Sequence, residues 1–273
     1  MTLQEFLNNL PETDKPVVSI FSGGLDSTIM TYALVKKYGA DKVYTLTYDY
    51  KQKHRVEMIC AGITNELLKL NHKTIDISFL GEINKDFSNL TDDSSIETPD
   101  GEKVIEEKQS TNYIANRNSI LINIAVSYAE TIGAGYVFYG AQSNDIAGFW
   151  DCTKEYVDSL NNTFALNREH QIKVVAPFMG MWKTDEIKLG KELEVPFSHC
   201  WTCYNPITVP AGGINHTSAI RPCGKCLSCR KNASIQRIKY GGPSLCKRLI
   251  KLNGALNVVN IIKVIIVVFV EHL

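Results

Sequence analysis

No excess of charge of either sign marks this chain: 29 lysines and arginines are balanced by 29 aspartates and glutamates. Zero formal net charge removes the long-range field that draws a protein onto a polyanion, so no nucleic-acid partner is expected from charge. No basic-then-apolar leader opens the sequence. Met1 to Lys15 is polar and mildly acidic, and a cytoplasmic location is expected. The unbroken apolar run from Val264 to Val270 is too short to cross a bilayer, so no membrane partner is expected. There is no internal repeat. The 8 cysteines are not spread as a disulfide framework but gather late in the chain, a pattern that in a reducing compartment points to metal. At 273 residues the chain can bury one substantial core with a small appendage.

What the sequence does have is a glycine pair between a strand and a helix. Val17 to Ile20 is a short β-branched run that reads as a buried strand. From Thr28 to Tyr38, Ile29, Met30, Ala33 and Leu34 recur at helical spacing. Between them lies Phe21-Ser22-Gly23-Gly24-Leu25-Asp26-Ser27-Thr28. The glycines let backbone approach a ligand closely, and the helix start offers unpaired N–H groups and a positive dipole end. With the hydroxyls of Ser22 and Ser27, this suits a diphosphate. No Gly-Lys-Ser/Thr closes the turn, so it is not a Walker loop. Its pattern, S-G-G-x-D-S, resembles the PP-loop of ATP pyrophosphatases. That resemblance implies ATP cleaved between its α- and β-phosphates, with Asp26 helping to hold Mg²⁺.

Further strands are expected over Val43–Tyr48, Lys73–Ile77, Tyr136–Tyr139 and Val174–Phe178, with helices near 56–70, 119–132, 153–166 and 183–194. Alternating strands and helices at this spacing predict an α/β fold, a Rossmann-like doubly wound parallel sheet with its ligands beyond the strands' carboxyl ends. The main chain at Tyr48 to Tyr50 lies at such an end and could meet adenine, or be a surface loop. Residues 81–110 read as a polar loop or lid. Arg117 precedes an apolar helix and suits a phosphate; the alternative is a capping stretch with Asn118 as the cap. The loop from Gly140 to Cys152 mixes amides, carboxylates, aromatics and glycines, the makings of a pocket for a flat polar heterocycle. Lys183 sits at a helix start, oddly signed for the dipole, which makes sense if it faces a phosphate; a solvated lysine is the alternative.

Cys223-Gly224-Lys225-Cys226-Leu227-Ser228-Cys229 places three thiols in one turn, and Cys203 can supply the fourth ligand of a closed, structural tetrahedral Zn²⁺ site. Cys200 competes with Cys203, since Cys200-Trp201-Thr202-Cys203 is itself C-x-x-C, and an iron–sulfur cluster competes with zinc. The chain divides into a PP-loop domain at 1–198, a zinc-binding segment at 199–240 and an apolar tail at 241–273.

Taken together, these stretches resemble the 7-cyano-7-deazaguanine synthase (QueC) family over roughly residues 17–233. The resemblance rests on the loop from Phe21 to Ser27, on Tyr48-Asp49-Tyr50 with His54-Arg55, and on Leu90 to Ser94. It rests further on Arg117-Asn118, Asp145 with Gly148 and Asp151-Cys152, Thr202 to Asn205, and the triple-cysteine turn. It implies an adenine nucleotide alpha-hydrolase-like fold and a C–N bond-forming ligase of queuosine biosynthesis. Such a ligase converts 7-carboxy-7-deazaguanine and ammonia to the nitrile preQ0 with two ATP. It implies nucleotide contacts from Phe21 to Thr28, Tyr48, Tyr50 and Arg55, and catalytic roles for Ser22, Asp26, Ser27, Arg117 and Lys183. Substrate contacts are implied for Arg117, Gln142, Asp145, Gly148 and Asp151, and a homodimer is expected. The chain departs from the family's usual Gly-Val-Asn-x-x-Asp-Tyr-Ser-Gly-Tyr-Pro-Asp-Cys loop at Gln142, Ile146, Ala147 and Trp150. Those departures leave open a paralogue that activates a related carboxylate or conjugates a deazaguanine to another molecule. A zinc-containing tRNA-thiolating or nucleic-acid-binding protein is a third reading, for which no reactive cysteine stands near the PP-loop.

Overall fold

The computed structural model describes residues 1–98, 111–142, 149–210, 218–230 and 250–252. Five parallel strands form the central sheet in the order β3-β2-β1-β4-β5. They are β1 (Val17–Ile20), β2 (Val43–Asp49), β3 (Asn71–Asp76), β4 (Tyr136–Phe138) and β5 (Lys173–Val175). Pro177 removes a donor just past β5, so that strand is shorter than its apolar run suggests. The helices are α1 (Leu3–Asn9), α2 (Leu25–Tyr38), α3 (Val56–Leu68), α4 (Phe79–Asn84), α5 (Arg117–Thr131), α6 (Lys154–Phe164) and α7 (Lys183–Glu192).

Strand residues alternate between the two faces, as a pleat requires. Val18, Leu46 and Val137 pack with Leu121, Ile122 and Ala125 of α5. Val17, Val43 and Phe138 pack on the other face with Ile29, Met30 and Leu34 of α2 and with Ile187 and Leu189 of α7. Both faces are covered, so the sheet is doubly wound, as expected. The chain runs outward from β1 to β3, then crosses back to lay β4 on the other side of β1. The switch point therefore falls between β1 and β4, and the glycine turn opens onto it.

Three features depart from the sequence reading. First, the polar, mildly acidic opening stretch, for which no helix was expected, holds α1. Thr2 and Glu5 form a reciprocal capping box, and Phe6 stacks on Phe178 with ring centroids 5.7 Å apart. Second, the segment expected as a lid from 81 starts inside α4, and Ser88, Asn89, Leu90 and Thr91 are buried. Lys53 N–H donates to Leu90 O at 2.8 Å and Asp92 N–H to Lys51 O at 2.7 Å, which stitches 81–98 to the β2–α3 connection. The remainder, 99–110, lies outside the described residues. Third, an antiparallel sheet β6-β7-β8 follows the parallel one: β6 (Ile207–Pro210), β7 (Ser218–Arg221) and β8 (Ile250–Leu252). β8 belongs to the expected apolar tail, whose other residues are not described. Among the described residues no helix is long and apolar enough to cross a membrane.

Candidate active site

The β1–α2 turn is built so that alternate residues face outward. Phe21, Gly23, Leu25, Ser27 and Thr28 are buried, while Ser22, Gly24 and Asp26 keep partial exposure. Phe21 is pinned by its N–H to Leu46 O at 2.8 Å and by Thr47 Oγ1 donating to its carbonyl at 2.6 Å. Gly23 has φ +83° and is pressed on α3: a Cβ there would stand 2.1 Å from Glu57 O. Its carbonyl accepts the N–H of Trp201 at 3.0 Å. Ser22 Oγ accepts the N–H of Gly24 at 3.1 Å and meets Ser27 Oγ at 3.1 Å. Helix α2 then starts at Leu25 with no side chain capping it. Its uncapped first N–H groups and the adjoining hydroxyls of Ser22 and Ser27 form a cradle whose chemistry fits phosphate oxygens.

Asp26 stands at the mouth of this cradle. Its Oδ2 accepts from Gln142 Nε2 at 3.1 Å, across the switch point from the end of β4. Its Oδ1 is ion-paired with Lys183 Nζ, which also lies 3.4 Å from Glu186 Oε2. The Lys183 side chain is only 14% exposed, so the solvated-lysine reading fails. Glu186 is 1% exposed, and burial raises its carboxyl above the ordinary range against the pull of Lys183. Gln142 was expected at the heterocycle; the structure places its amide on Asp26 instead.

The nucleotide residues expected beyond the loop are differently disposed. Tyr48 is buried, with its hydroxyl donating to Leu121 O at 2.9 Å, so its ring belongs to the core. The main-chain edge expected at adenine is met by a side chain the sequence reading passed over. Gln52 donates to Tyr48 O at 3.1 Å and accepts the N–H of Tyr50 at 2.9 Å. Arg55 holds Asp49 through Nε and Nη2, at 3.2 and 2.9 Å, with Asp92 at 3.7 Å.

Arg117 is the first residue of α5, two places earlier than the apolar run suggests. The cap is Asn116, in the left-handed region at φ 56°, and not Asn118. Asn118 Oδ1 accepts from Arg117 Nε and Nη2, each at 3.4 Å. Arg117 Nη1 donates to the Tyr50 hydroxyl at 3.5 Å, and Tyr50, Asp151 and Glu57 are the charged or titratable groups around it. Asp151 is buried, which raises its carboxyl, while bonds from the main chain and side chain of Asn118 pull the other way. Thus Arg117 and Asp151, both expected at the substrate, face one another's field across the β4 end. Asp145 and Gly148 lie outside the described residues.

Beneath Arg117 is a buried polar group: Gln52, His54 and Glu57. His54 Nε2 lies 3.4 Å from Glu57 Oε1, and Gln52 Nε2 donates to that same oxygen at 3.5 Å. Burial, then Arg117, push His54 down to about 3, so the imidazole is neutral. Burial pushes Glu57 up to about 8. Gln52 and His54 lie in the turn before α3 and Glu57 in its first turn, so no single periodic pattern in the sequence marked the group.

The sulfurs of Cys203, Cys223, Cys226 and Cys229 all lie within 4.8 Å of one another and could hold a metal ion. Three N–H groups point at these sulfurs: Cys223 to Cys203 at 3.2 Å, and Lys225 and Cys226 to Cys223 at 3.4 and 3.3 Å. Such donors suit thiolates, the form that binds metal. Gly224, at φ +73°, makes the turn between Cys223 and Cys226. Cys200 is outside the cluster: it packs with Leu25 and Ile29 behind the glycine turn, and burial drives its thiol up to about 12. Cys203, Cys226 and Cys229 instead share a core with Val56, Ile59 and Ile63 of α3 and with Trp201.

A protein-family model described as "Queuosine biosynthesis protein QueC" matches residues 16–236. 7-Cyano-7-deazaguanine synthase 1 of Colwellia psychrerythraea is 38% identical over 216 residues, 79% of this chain and 90% of that protein. The 7-cyano-7-deazaguanine synthase of Caldicellulosiruptor saccharolyticus is 36% identical over 220 residues, 81% and 90% of the two chains. A solved ammonia-dependent NAD synthetase from Campylobacter jejuni aligns over 73% of this chain and 76% of its own, at 14% identity and a TM-score of 0.47, too loosely to carry an argument.

Proposed function

The chain belongs to the QueC family of queuosine biosynthesis proteins, and we propose from that membership and the site's geometry a reaction with assigned roles. The protein converts 7-carboxy-7-deazaguanine and ammonia to 7-cyano-7-deazaguanine at the expense of two ATP. It is a C–N bond-forming ligase, and it acts in the cytoplasm. The observation that carries this reading is the cradle at the β1/β4 switch point: Ser22, Gly24 and Asp26 face outward, with Lys183 beside them.

A substrate carboxylate oxygen attacks the α-phosphorus of ATP, and pyrophosphate leaves. The α2 N-terminus and the hydroxyls of Ser22 and Ser27 take the oxygens of the departing diphosphate. Lys183 turns from Asp26 to the phosphates; Asp26 would then be free to hold Mg²⁺, which when bound would supply charge neutralisation. Arg117, charged throughout the working pH range, holds the carboxylate against the adenylate, with Asp151 and Asn118 fixing its position. Ammonia then displaces AMP to give an amide. The amide oxygen attacks a second ATP, and loss of AMP with the nitrogen's protons gives the nitrile. Asp145, Gly148 and Gln142 complete the substrate side, Gln142 by holding Asp26 square to the cradle.

Zn²⁺ is the metal of the four-cysteine site. Its role is to hold Trp201, and through it Gly23, against α3. Removing the metal, or replacing Cys226 by Ser, is expected to lower the melting temperature by about 10 °C. That corresponds to about 3–4 kcal/mol at roughly 2–4 °C per kcal/mol for a domain of this size. ATP turnover falls with it, and calorimetry and atomic absorption on the same sample check both. A visible charge-transfer band in place of a zinc signal would identify an iron–sulfur cluster.

The test of the function is direct. Purified protein with 7-carboxy-7-deazaguanine, ammonia and ATP is expected to release two AMP per nitrile, read by mass spectrometry. AMP without nitrile favours the second reading, a paralogue that adenylates this acid or a related one and hands it to another nucleophile. Gln142, which stands where the family's loop has Asn and here bonds Asp26, is the observation that favours it. The same preparation in sedimentation is expected to be a homodimer.

A further inference from the structure

The reaction leaves one task unassigned. The nitrile nitrogen arrives as ammonium, with four protons, and ends with none. Ammonium sheds one before it attacks and a second as the amide forms; dehydration removes the last two. Adenylation of a carboxylate sheds no proton. A group that accepts protons from nitrogen is therefore needed for the later steps alone.

The carboxylates at the strand ends differ in what holds them. Asp26 and Glu186 are paired with Lys183, and Asp49 and Asp92 with Arg55. Asp151 lies in the field of Arg117 and is held by the main chain and side chain of Asn118. Glu57 is different. Its contacts are His54 and the amide of Gln52, both on Oε1, and among the described residues no lysine or arginine lies within ion-pair distance of it. Its main chain backs Gly23 of the cradle, and its side chain shares the surroundings of Arg117 with Tyr50 and Asp151. Arg117 thus stands in the field of both Asp151 and Glu57. We propose that Glu57 is the proton acceptor for the nitrogen, first from ammonium and then from the adenylated amide. His54 and Gln52 are its positioning residues.

In the dehydration step a carboxylate oxygen of Glu57 takes the N–H proton. The N–H electron pair becomes the third carbon–nitrogen bond, the carbon–oxygen bond to AMP breaks, and AMP carries that electron pair away. The proton then passes from Glu57 to water. Two observations support the role. The position of Glu57 near neutrality, set by burial against Arg117 and Gln52, lets it take and return protons at working pH. His54 Nε2, 3.4 Å from Oε1, and Gln52 Nε2, 3.5 Å from the same oxygen, hold the carboxylate in place.

The inference rests on the preQ0 synthase reading, and one set of assays separates the two. In wild type, carboxylate-dependent exchange of pyrophosphate into ATP reports adenylation, and conversion of the synthetic amide with ATP reports dehydration. Glu57→Gln is expected to keep the exchange within about threefold of wild type. It is expected to lose dehydration by about 10²–10⁴-fold, the usual yield of a general base. Glu57→Asp recovers part of it. Amide converted by Glu57→Gln at the wild-type rate overturns the role. So does a Glu57→Gln enzyme that has lost exchange and dehydration together, since Glu57 would then serve only to back the cradle. Wild type that forms no nitrile overturns both the role and the reading beneath it; wild type that forms it beside a Glu57→Gln variant that forms it equally well overturns the role alone.

Discussion

Gly23→Ala is expected to yield a protein that is poorly folded and inactive, while Gly24→Ala, one residue on, gives one that is folded and inactive. At Gly23 the backbone lies at φ +83°, a conformation that costs an L-residue about 1–2 kcal/mol. The added methyl would stand 2.1 Å from Glu57 O and 2.6 Å from Ala61 N, both main-chain atoms of α3. Backbone of a packed helix cannot give way as a side chain can, so α3 must shift. That shift strains the core it shares with the cysteine cluster. A total loss of about 4 kcal/mol or more follows, roughly 10 °C in melting temperature. Gly24 has φ −71° and ψ 169°, open to any residue, and its Cβ would meet only the Ser22 hydroxyl at 3.1 Å and Trp201 O at 3.6 Å. Its methyl projects where the diphosphate is proposed to lie, so stability holds within about 1 kcal/mol while AMP release falls by about 10²-fold. Thermal melts and AMP release measured on both variants check the pair. Equal melts for the two would refute the division of labour between these glycines.

That division was not legible in the sequence, although the turn was. A β-branched run, two glycines and a helical period specify strand, tight turn and helix without knowledge of anything distant. Which glycine touches a ligand and which touches α3 depends on where α3 packs, a fact some thirty residues away in sequence. The same limit explains Tyr48 and Gln142. Each lies at the expected strand end, but side-chain direction is set by the opposing layer. The layer sends Tyr48 to Leu121 in the core and Gln142 to Asp26. Spacing favoured Cys203 but left Cys200 a rival, because either completes four thiols; packing decides, since Cys200 is enclosed with Leu25 and Ile29 behind the turn. Helix α1 is a different case. Thr2 and Glu5 at capping-box spacing, with Phe6, Leu7 and Leu10 inward, mark it locally. The antiparallel sheet has no such mark, since its third strand returns from Ile250.

Lys183 is where stability and chemistry are hardest to separate, and the Lys183→Met variant must be read with that in mind. Its ammonium joins Asp26, 29% exposed, to Glu186, 1% exposed. If it is the cation that follows the diphosphate, its loss lowers AMP release by about 10²–10³-fold, as for removal of one preorganised charge donor. Its loss also leaves Glu186 buried without a counter-charge, which costs about 3–5 kcal/mol when a buried pair is broken. The pH dependence distinguishes the two effects. Burial already holds the Glu186 carboxyl above its unfolded value, against the pull of Lys183. A group so raised binds more protons folded than unfolded between those two values, so stability falls as pH rises through that window. Without Lys183 the folded value rises further, and the window extends upward in pH. Lys183→Met is therefore expected to melt close to wild type in acid and progressively lower as pH rises. Lys183→Met with Glu186→Gln is expected to regain the melting temperature and lose that pH dependence. AMP release by the double variant stays as low as that of Lys183→Met, because neither change returns a cation to the cradle. If repairing the fold also repairs turnover, Lys183 only neutralises Glu186, and the diphosphate is held by the α2 N-terminus and the hydroxyls of Ser22 and Ser27 without it.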